Sequence, residues 1–369
     1  MEKRKLGGTG LSLSIIGFGG FHLVELESRD VTKLLNTYLD KGGNYIETAT
    51  GYGDGASEIK IGKAVSSRRS EYFLATKTHF RDNKQAALTL EQSLKNLKTD
   101  YVDLFFMHSV QTIEDIDAML APGGAIAAVE EAKKAGKVRF IAVSGHGRQE
   151  SMYAGITRYP FDVLMTGFNY LDRFNYPDVE GRLLPEGLRR NIGILGMKAV
   201  ADGYLQKSWG NAIRYALSFP ISSLVLGMNT ENQVERNIKL AENFIPMSEE
   251  EKISLYINAP ELKDYVCRLC GKCKEDGFDP QAVFLLEGLF DRQMDDRRVG
   301  DTAEYALRER LRFWFAQNDL ARSEYASLKV KVDPGKSYSH LNSRCSYRID
   351  IDRKLKIAHE KLSGEKSIY

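Results

Sequence analysis

Three cysteines lie at strict three-residue spacing, Cys267, Cys270 and Cys273, and a fourth, Cys345, follows well downstream. Thiolates are the ligands of iron-sulfur clusters, and four of them can also hold a structural zinc ion. The 369-residue chain has no further cysteine. So few cysteines in a chain of this length argue against a disulfide framework, and their clustering indicates a metal site.

The spacing of the cysteines favours one [4Fe-4S] cluster. Bacterial-type ferredoxin motifs read CxxCxxCxxxCP, and in two-cluster versions the fourth cysteine of each motif ligates the other cluster. The fourth position of the first motif is Gly277, whereas Cys345 fits the last position of a second motif that has lost its other cysteines. The four cysteines therefore form one complete ligand set. Structural zinc is the alternative, although zinc sites more often use separated pairs of ligands.

Four other titratable side chains stand at or just after the ends of apolar runs: Glu47, Tyr52, Lys77 and His108. Taken singly, each has an ordinary structural explanation, such as a packed aromatic ring, half of an ion pair or a satisfied core histidine. Their recurrence after three successive runs is harder to explain in that way. The pattern predicts an active site.

The elements that would position these residues form a regular alternation. From residue 13 to about 242, short apolar runs alternate with amphipathic segments of helical period, which is typical of βα units around a parallel sheet. Eight such units within about 250 residues favour a closed (β/α)8 TIM barrel over a doubly wound sheet. The predicted strands are LSIIGF, NYIE, YFLATK, VDLFFMH, VRFIAVS, DVLMTGF, IGILGMK and SSLVLG.

The alternation stops near residue 250, after the stretch IPMSEEEKISLYINAPELKD. Charged segments of helical character follow, so we predict an α/β barrel domain at residues 1–250 and a mostly helical C-terminal domain at residues 251–369, which contains the four cysteines of the expected iron-sulfur site. An arginine-rich helical run in the second domain carries aromatic residues that we expect to pack on the barrel or the metal site. These are Phe313, Trp314, Phe315 and Tyr325.

Charge and hydropathy limit the partners. Lysine plus arginine number 52 and aspartate plus glutamate 50, so no strong net field attracts nucleic acid or an anionic membrane. The first residues lack a sustained apolar segment, and nowhere do ~18 consecutive apolar residues occur. We therefore expect a soluble cytoplasmic protein that binds neither nucleic acid nor membrane. No sequence feature indicates an oligomeric state.

The segments GGNYIETATGYGDGASEIKIGKAV, LATKTHF, DLFFMHSV and IAVSGHG resemble the aldo-keto reductase family along the whole barrel. The region from about 260 to 360 resembles the ferredoxin-like tail of the iron-sulfur branch of that family. The resemblance implies an NAD(P)H-dependent oxidoreductase that interconverts a carbonyl (aldehyde, ketone or sugar) and an alcohol. It also implies a catalytic tetrad of Tyr52, Lys77, His108 and Glu47, the last at a position where the family usually carries aspartate.

The chemistry of the implied tetrad is consistent with these roles. Hydride delivery to a carbonyl leaves an alkoxide that a positioned acid must protonate, and Tyr52 can donate that proton. We expect the Lys77 ammonium to lower the phenol pKa from its usual value of about 10, and Glu47 to hold Lys77 in place. A neutral His108 could donate a ring hydrogen to the substrate carbonyl.

The cofactor, NADPH or NADH, has weaker sequence support, because no GxGxxG motif of the Rossmann type is present. Glycines in GFGGF could let the cofactor approach, and the segment LGMNTENQVERN offers a helix N-terminus for phosphate, with Thr230 and Gln233 fitting a capping box. Met165 replaces an expected glutamine, and Gln233 stands where relatives carry an arginine. The implied cofactor residues are Gly20, Ser144, Asn169, Met197, Gly227, Asn229, Thr230, Gln233 and Asn237.

Two functional classes remain open from the sequence: the reductase, and a non-catalytic or redox-sensing iron-sulfur barrel. Glu47 and Met165, which depart from the family pattern, motivate the second class. For the cluster, a structural role is favoured over electron transfer, because a hydride passes two electrons at once and no flavin motif is visible to split the pair.

Overall fold

The computed structural model describes residues 1–146, 149–295 and 317–364. Its contacts divide the chain into two units, which we call the barrel unit and the C-terminal unit. The barrel unit comprises Met1–Phe168, Asp178–Ala199 and Ala216–Pro246; the C-terminal unit comprises Asn169–Pro177, Val200–Tyr215 and Met247–Tyr369. The C-terminal unit thus includes two segments from within the predicted barrel domain, and the sequence boundary at residue 250 stays a prediction.

The barrel unit contains a closed barrel of eight parallel strands, preceded by a short antiparallel hairpin. The last barrel strand pairs with both the first and the seventh, which closes the sheet. The hairpin strands are β1 (Lys3–Lys5) and β2 (Ser12–Ser14). The barrel strands are β3 (Ile16–Gly19), β4 (Tyr45–Glu47), β5 (Phe73–Thr78), β6 (Val102–Met107), β7 (Val138–Ser144), β8 (Val163–Gly167), β9 (Gly193–Met197) and β10 (Ser223–Gly227).

Each of the eight apolar runs contributes one barrel strand, so the predicted barrel is confirmed. The first run is divided, however. Its first residues belong to β2, which pairs with β1, and only Ile16 onward enters the barrel. The division comes at Ser14, whose backbone N–H donates to the Asn44 side chain at 2.7 Å and whose hydroxyl donates to the Ile16 carbonyl at 2.8 Å.

The interior of the barrel is a packed apolar core, because successive strand side chains alternate between the inside and the surrounding helices. Phe106 of β6 and Leu195 of β9 are fully buried there, and Met165 of β8 is 1% exposed. Residues of the hairpin region, including Leu6 and Leu13, belong to the same core. The catalytic candidates therefore stand at the end of a packed barrel, not in an open channel.

Helices follow the strands, as the amphipathic segments predicted. Asp82 accepts a hydrogen bond from the Gln85 N–H at the start of the third helix, and Thr112 forms a capping box with Asp115 at the start of the fourth. The helices up to Pro246 are α1 (Ser28–Asp40), α2 (Ala56–Val65), α3 (Asn83–Leu97), α4 (Ile113–Leu120), α5 (Ala125–Lys134), α6 (Gln149–Arg158), α7 (Leu184–Arg189), α8 (Trp209–Leu217) and α9 (Glu231–Glu242).

The described part of the last stretch of the C-terminal unit contains four α-helices separated by irregular segments. Its helices are α10 (Glu249–Asn258), α11 (Pro280–Asp291), α12 (Asn318–Ala326) and α13 (Ile351–Ser363). Tyr325 is 2% exposed in a core built from α11, α12 and α13. Phe313, Trp314 and Phe315, which we expected to pack on the barrel or the metal site, lie outside the described residues.

Buried charges connect α11 to α13. Glu287 and Lys354 are fully buried and form an ion pair at 2.7 Å, and Lys361 reaches the other oxygen of Glu287 at 2.8 Å. Burial alone would raise the pKa of the Glu287 carboxyl group, but these two ammonium groups hold that pKa at about 2. Removal of one partner would leave a buried charge uncompensated, so this network ties the closing helix to the unit.

Across residues 1–146, 149–295 and 317–364, the helices are all too short or too polar to cross a lipid bilayer.

Candidate active site

Three neighbouring strands bring the predicted catalytic residues together. Glu47 is the last residue of β4, Lys77 is the second-to-last residue of β5, and His108 directly follows β6. Tyr52 lies between β4 and α2. Because the strands are parallel, their carboxyl ends meet at one end of the barrel, where barrel enzymes carry their active sites.

Lys77 is the centre of the cluster. Its Nζ contacts the Glu47 carboxylate, lies 3.0 Å from the Tyr52 hydroxyl and donates to the Thr48 carbonyl at 2.8 Å. Lys77 is 1% exposed and Glu47 3% exposed. Three oxygen atoms thus surround one buried ammonium, so its three N–H donors all have partners.

Burial is the main influence on the pKa values of Lys77 and Tyr52. Burial lowers the pKa of the Lys77 ammonium well below its usual value, and the Lys198 charge acts in the same direction. Burial also raises the pKa of the Tyr52 phenol. The expectation that Lys77 lowers the pKa of Tyr52 is therefore wrong for the protein chain alone. The desolvation of the Tyr52 phenolate outweighs the attraction of Lys77, because burial also disfavours the charged form of Lys77. At neutral pH Tyr52 keeps its proton.

His108 stands beside Tyr52 with 6.0 Å between ring centroids. Burial lowers the pKa of His108 well below the usual histidine value, and the Lys77 charge acts in the same direction. Its Nδ1 atom is buried and, within the described part of the chain, has no hydrogen-bond partner. The ring is therefore neutral at physiological pH.

Sequence reasoning missed three residues that support this cluster. The His79 ring lies 4.1 Å from that of His108, Phe21 packs edge-on against Tyr52 at 5.1 Å, and Arg81 donates to the His108 carbonyl at 2.9 Å. One signal was available for His79, because residues two apart on a strand share a face and His79 follows Lys77 by two. Arg81 lies on the loop after β5 and Phe21 begins a short 3-10 helix after β3, and no local sequence pattern shows that either approaches the site.

The loop after β10 leads into α9, as expected for a candidate phosphate site. Thr230 caps the helix by accepting from the Gln233 N–H at 3.2 Å. The second half of the predicted capping box differs, since the Gln233 side chain accepts from the Asn229 N–H at 2.7 Å and not from that of Thr230. Asn237 is 4% exposed, and its Oδ1 has no hydrogen-bond partner among the described residues.

The two predicted cofactor glycines are required by packing. A Cβ atom on Gly20 would lie 2.8 Å from the Ser57 hydroxyl oxygen and 2.9 Å from the Glu47 carbonyl oxygen. A Cβ atom on Gly227 would meet the His22 ring at 2.4 Å. Glycine at these positions thus lets protein atoms approach each other closely, which explains the residue type without a ligand.

The other predicted cofactor residues lie in different surroundings. Ser144 ends β7 and accepts from the Ser109 N–H at 3.4 Å, and Met197 ends β9 within the barrel core. Asn169 belongs to the C-terminal unit, where its amide donates to the Asp172 carboxylate at 2.8 Å and accepts from the Asp172 N–H at 2.8 Å. The Asn169 side chain is thus held by its own turn.

In the C-terminal unit, Cys267, Cys270, Cys273 and Cys345 line a single cavity. Burial raises the pKa of the Cys267 thiol to about 12 and that of Cys273 to about 11. Over the described ranges, no three or more His, Cys, Asp or Glu side chains are arranged to hold a single metal ion. The four thiols thus surround a space and do not converge on one point.

Comparison with known proteins matches residues 15–211 to the model of the aldo/keto reductase family. The uncharacterized oxidoreductase YqkF of Bacillus subtilis is 33% identical over 217 residues, which cover 56% of this chain and 67% of that protein.

Two solved structures share the fold. An aldo-keto reductase of Bacillus halodurans in its holo form superposes with a TM-score of 0.60 at 25% identity, covering 69% of this chain and 94% of that one. An aldo-keto reductase of Klebsiella pneumoniae in complex with NADPH superposes with a TM-score of 0.57 at 18% identity, covering 69% and 95%. These coverages leave nearly a third of the present chain without a counterpart in either structure.

Proposed function

Because the chain belongs to the aldo/keto reductase family and is an NAD(P)H-dependent oxidoreductase, we propose that Tyr52, Lys77, Glu47 and His108 catalyse its reduction of carbonyl substrates. The observation that carries this proposal is the contact of the buried Lys77 ammonium with both the Glu47 carboxylate and the Tyr52 hydroxyl. Protonation of an alkoxide needs an acid, a cation that stabilises the conjugate base of that acid, and a carboxylate that holds the cation in place.

When bound, NADPH supplies the hydride. Tyr52, whose pKa burial raises, enters the reaction protonated and donates its hydrogen to the oxygen of the substrate. The phenolate that remains lies 3.0 Å from Lys77 Nζ, which stabilises it at the moment of proton transfer. Neutral His108 orients the carbonyl by donating a ring hydrogen, and Arg81 holds its backbone.

The proposed cofactor residues are those that the resemblance implied, and two observations support a fit. The Oδ1 of Asn237 is a buried acceptor for which the described residues supply no donor, and such atoms are rare in proteins unless a ligand or water completes them. The N-terminus of α9 adds backbone N–H groups that suit a phosphate. The Gln233 side chain accepts a hydrogen bond from the Asn229 N–H and supplies no positive charge for a 2′-phosphate. We therefore propose NADPH because of the family relation, and NADH is the competing cofactor in the test.

We further propose that Cys267, Cys270, Cys273 and Cys345 hold one [4Fe-4S] cluster, which would make the protein a member of the iron-sulfur branch. Each corner of a cubane takes one thiolate, so its ligands surround a body, whereas four zinc ligands converge on one ion. A common cavity lined by the four cysteines supports the cubane. The Leu269 N–H lies 3.4 Å from the Cys267 sulfur and would help to hold its thiolate. A structural role in the C-terminal unit is proposed for the cluster.

The role of Glu47 provides the test of the reductase. Single-turnover mixing of the NADPH-loaded protein with a panel of aldehydes, ketones and sugars should consume the reduced nicotinamide signal on at least one carbonyl. Glu47→Gln should slow this step by roughly ten- to a thousandfold, because it removes the charge that stabilises the buried Lys77 ammonium. Glu47→Asp should slow it less, since the charge is kept and only its position changes.

A loss of stability alone would contradict this role. Both variants are therefore compared for NADPH affinity and for unfolding, and the role of Glu47 requires that the rate of hydride transfer falls while NADPH affinity stays within a few fold. If the parent protein oxidises neither NADPH nor NADH with any carbonyl, the reductase assignment itself is wrong.

The buried His108 predicts the pH dependence. Because burial lowers the pKa of His108 well below its usual value, its ring should add no acidic limb to the rate of reduction near the usual histidine pKa of about 6.5. An ordinary histidine would instead lose half of its neutral form near pH 6.5. An acidic limb with a midpoint near 6.5, present in the parent and absent from His108→Gln, would contradict the neutral ring.

A further inference from the structure

Arg268 is a buried cation in the C-terminal unit. It is 7% exposed and follows Cys267 directly in the chain. Its guanidinium group donates to the backbone carbonyls of Tyr256 at 3.1 Å, Leu262 at 3.2 Å and Lys263 at 2.8 Å, and also to that of Val266. Carbonyl dipoles thus satisfy its hydrogen-bond donors and fix its position.

The Arg268 guanidinium forms no direct ion pair with a carboxylate within the described residues, although the Asp264 charge acts on it from beyond ion-pair distance. Other arginines of the same unit do have one, since the buried Arg292 lies 3.0 Å from Asp172 and the partly buried Arg353 lies 2.8 Å from Asp295. Carbonyls satisfy hydrogen bonds but do not neutralise a charge, and a buried charge without a counter-charge is costly. The environment of Arg268 therefore calls for an anion.

The place of that anion is indicated by the cavity that the four cysteines line. Arg268 and Tyr347 line the same cavity, and the guanidinium lies over the Tyr347 ring, 5.0 Å from its centroid. The Arg268 charge interacts electrostatically with Tyr347, with the sulfur atoms of Cys267 and Cys345, and with Asp264. The guanidinium and the four thiols thus face a common space.

We propose that Arg268 is the buried counter-charge of the [4Fe-4S] cluster and raises its reduction potential, an inference that rests on the cluster of the proposed function. A cubane with four thiolates carries net negative charge, and reduction adds one further electron to it. A fixed positive charge favours the more negative state, so it favours the reduced cluster. No proton moves in this step, and the electron comes from an added reductant such as dithionite.

The test is an anaerobic redox titration of the iron-loaded, full-length protein with dithionite, followed by the electron paramagnetic resonance of the reduced cluster. Arg268→Met should shift the equilibrium between oxidised and reduced cluster about tenfold toward the oxidised form. That corresponds to ~59 mV toward lower potential for one electron. Arg268→Lys keeps the charge and should stay within about threefold of the parent.

Arg344→Met is the matched control. Arg344 also lines the cysteine cavity, but its side chain is 43% exposed and it pairs with Glu275 at 3.2 Å. Water and that carboxylate screen its charge, so this variant should shift the equilibrium less than twofold.

A merely structural role for Arg268 would shift the potential equally in the methionine and lysine variants, and that result would overturn the inference. If Arg268→Met does not retain iron, Arg268→Lys decides alone. An equilibrium between oxidised and reduced cluster within threefold of that of the parent supports the inference. A tenfold shift of this equilibrium, or loss of iron, overturns it. Zinc without iron in the parent would instead overturn the cluster itself. A parent with about four irons and unchanged potentials in all variants would overturn only the role of Arg268.

Discussion

Replacement of Tyr52 by phenylalanine should reduce the rate of carbonyl reduction about a thousandfold, with the affinity for NADPH changed by no more than a few fold. The hydroxyl lies 3.0 Å from Lys77 Nζ, and the variant removes the proton donor while keeping the ring that packs against Phe21. Because the hydroxyl acts chiefly on the transition state, the loss should appear in kcat and not in the binding of the cofactor. Single-turnover kinetics and fluorescence titration with NADPH measure the two quantities.

Tyr159→Phe is the control for this substitution. The Tyr159 hydroxyl donates to Glu130 at 2.9 Å on the outside of the barrel, far along the chain from the strand ends that carry the site. Its removal costs one exposed hydrogen bond and should leave turnover unchanged. Turnover of Tyr52→Phe within threefold of the parent would remove Tyr52 from the role of acid.

Replacement of Cys345 by serine should abolish the cluster as completely as replacement of Cys270. The protein purified under nitrogen should be brown and hold about four irons per chain, and both variants should be colourless and hold few or none. The reason is that Cys345 and the three closely spaced cysteines line one cavity, so each supplies one corner of the same cubane. Iron analysis and visible absorption provide the measurement.

Ser346→Ala is the control next to Cys345. Its exposed hydroxyl accepts from Lys272 at 2.8 Å and does not line the cysteine cavity, so all of the iron should remain. Full iron content in Cys345→Ser, with loss only in Cys270→Ser, would show that the ligand set is incomplete or different. One zinc per chain and no iron would favour the alternative that the sequence left open.

Much of the barrel could be predicted from the sequence, because strands of a parallel barrel are buried on both faces and read as continuous apolar runs. VDLFFMH is such a run, and all of β6 is buried. The same regularity made the active-site candidates visible, since parallel strands end at one end of the barrel. Glu47, Lys77 and His108 could thus be grouped before their contacts were known.

The tertiary structure decided what depends on neighbours that are distant in sequence. The pKa of Tyr52 is raised and not lowered, because the desolvation of its phenolate depends on all the residues that surround it in the folded chain. Arg81 supports His108 by donating to its backbone carbonyl, a contact that leaves no pattern in the sequence.

By itself, the sequence determined the number and order of the barrel strands, the position of the catalytic candidates at their ends and the spacing of the cysteines. These features are periodic or local, and hydrophobic burial and ligand spacing impose them directly on neighbouring residues. Only the tertiary structure assigned Asn169 to the C-terminal unit and showed Arg268 as a buried cation with carbonyl partners. The physical reason is that charge compensation and burial are set by residues from several elements, which meet only when the chain has folded.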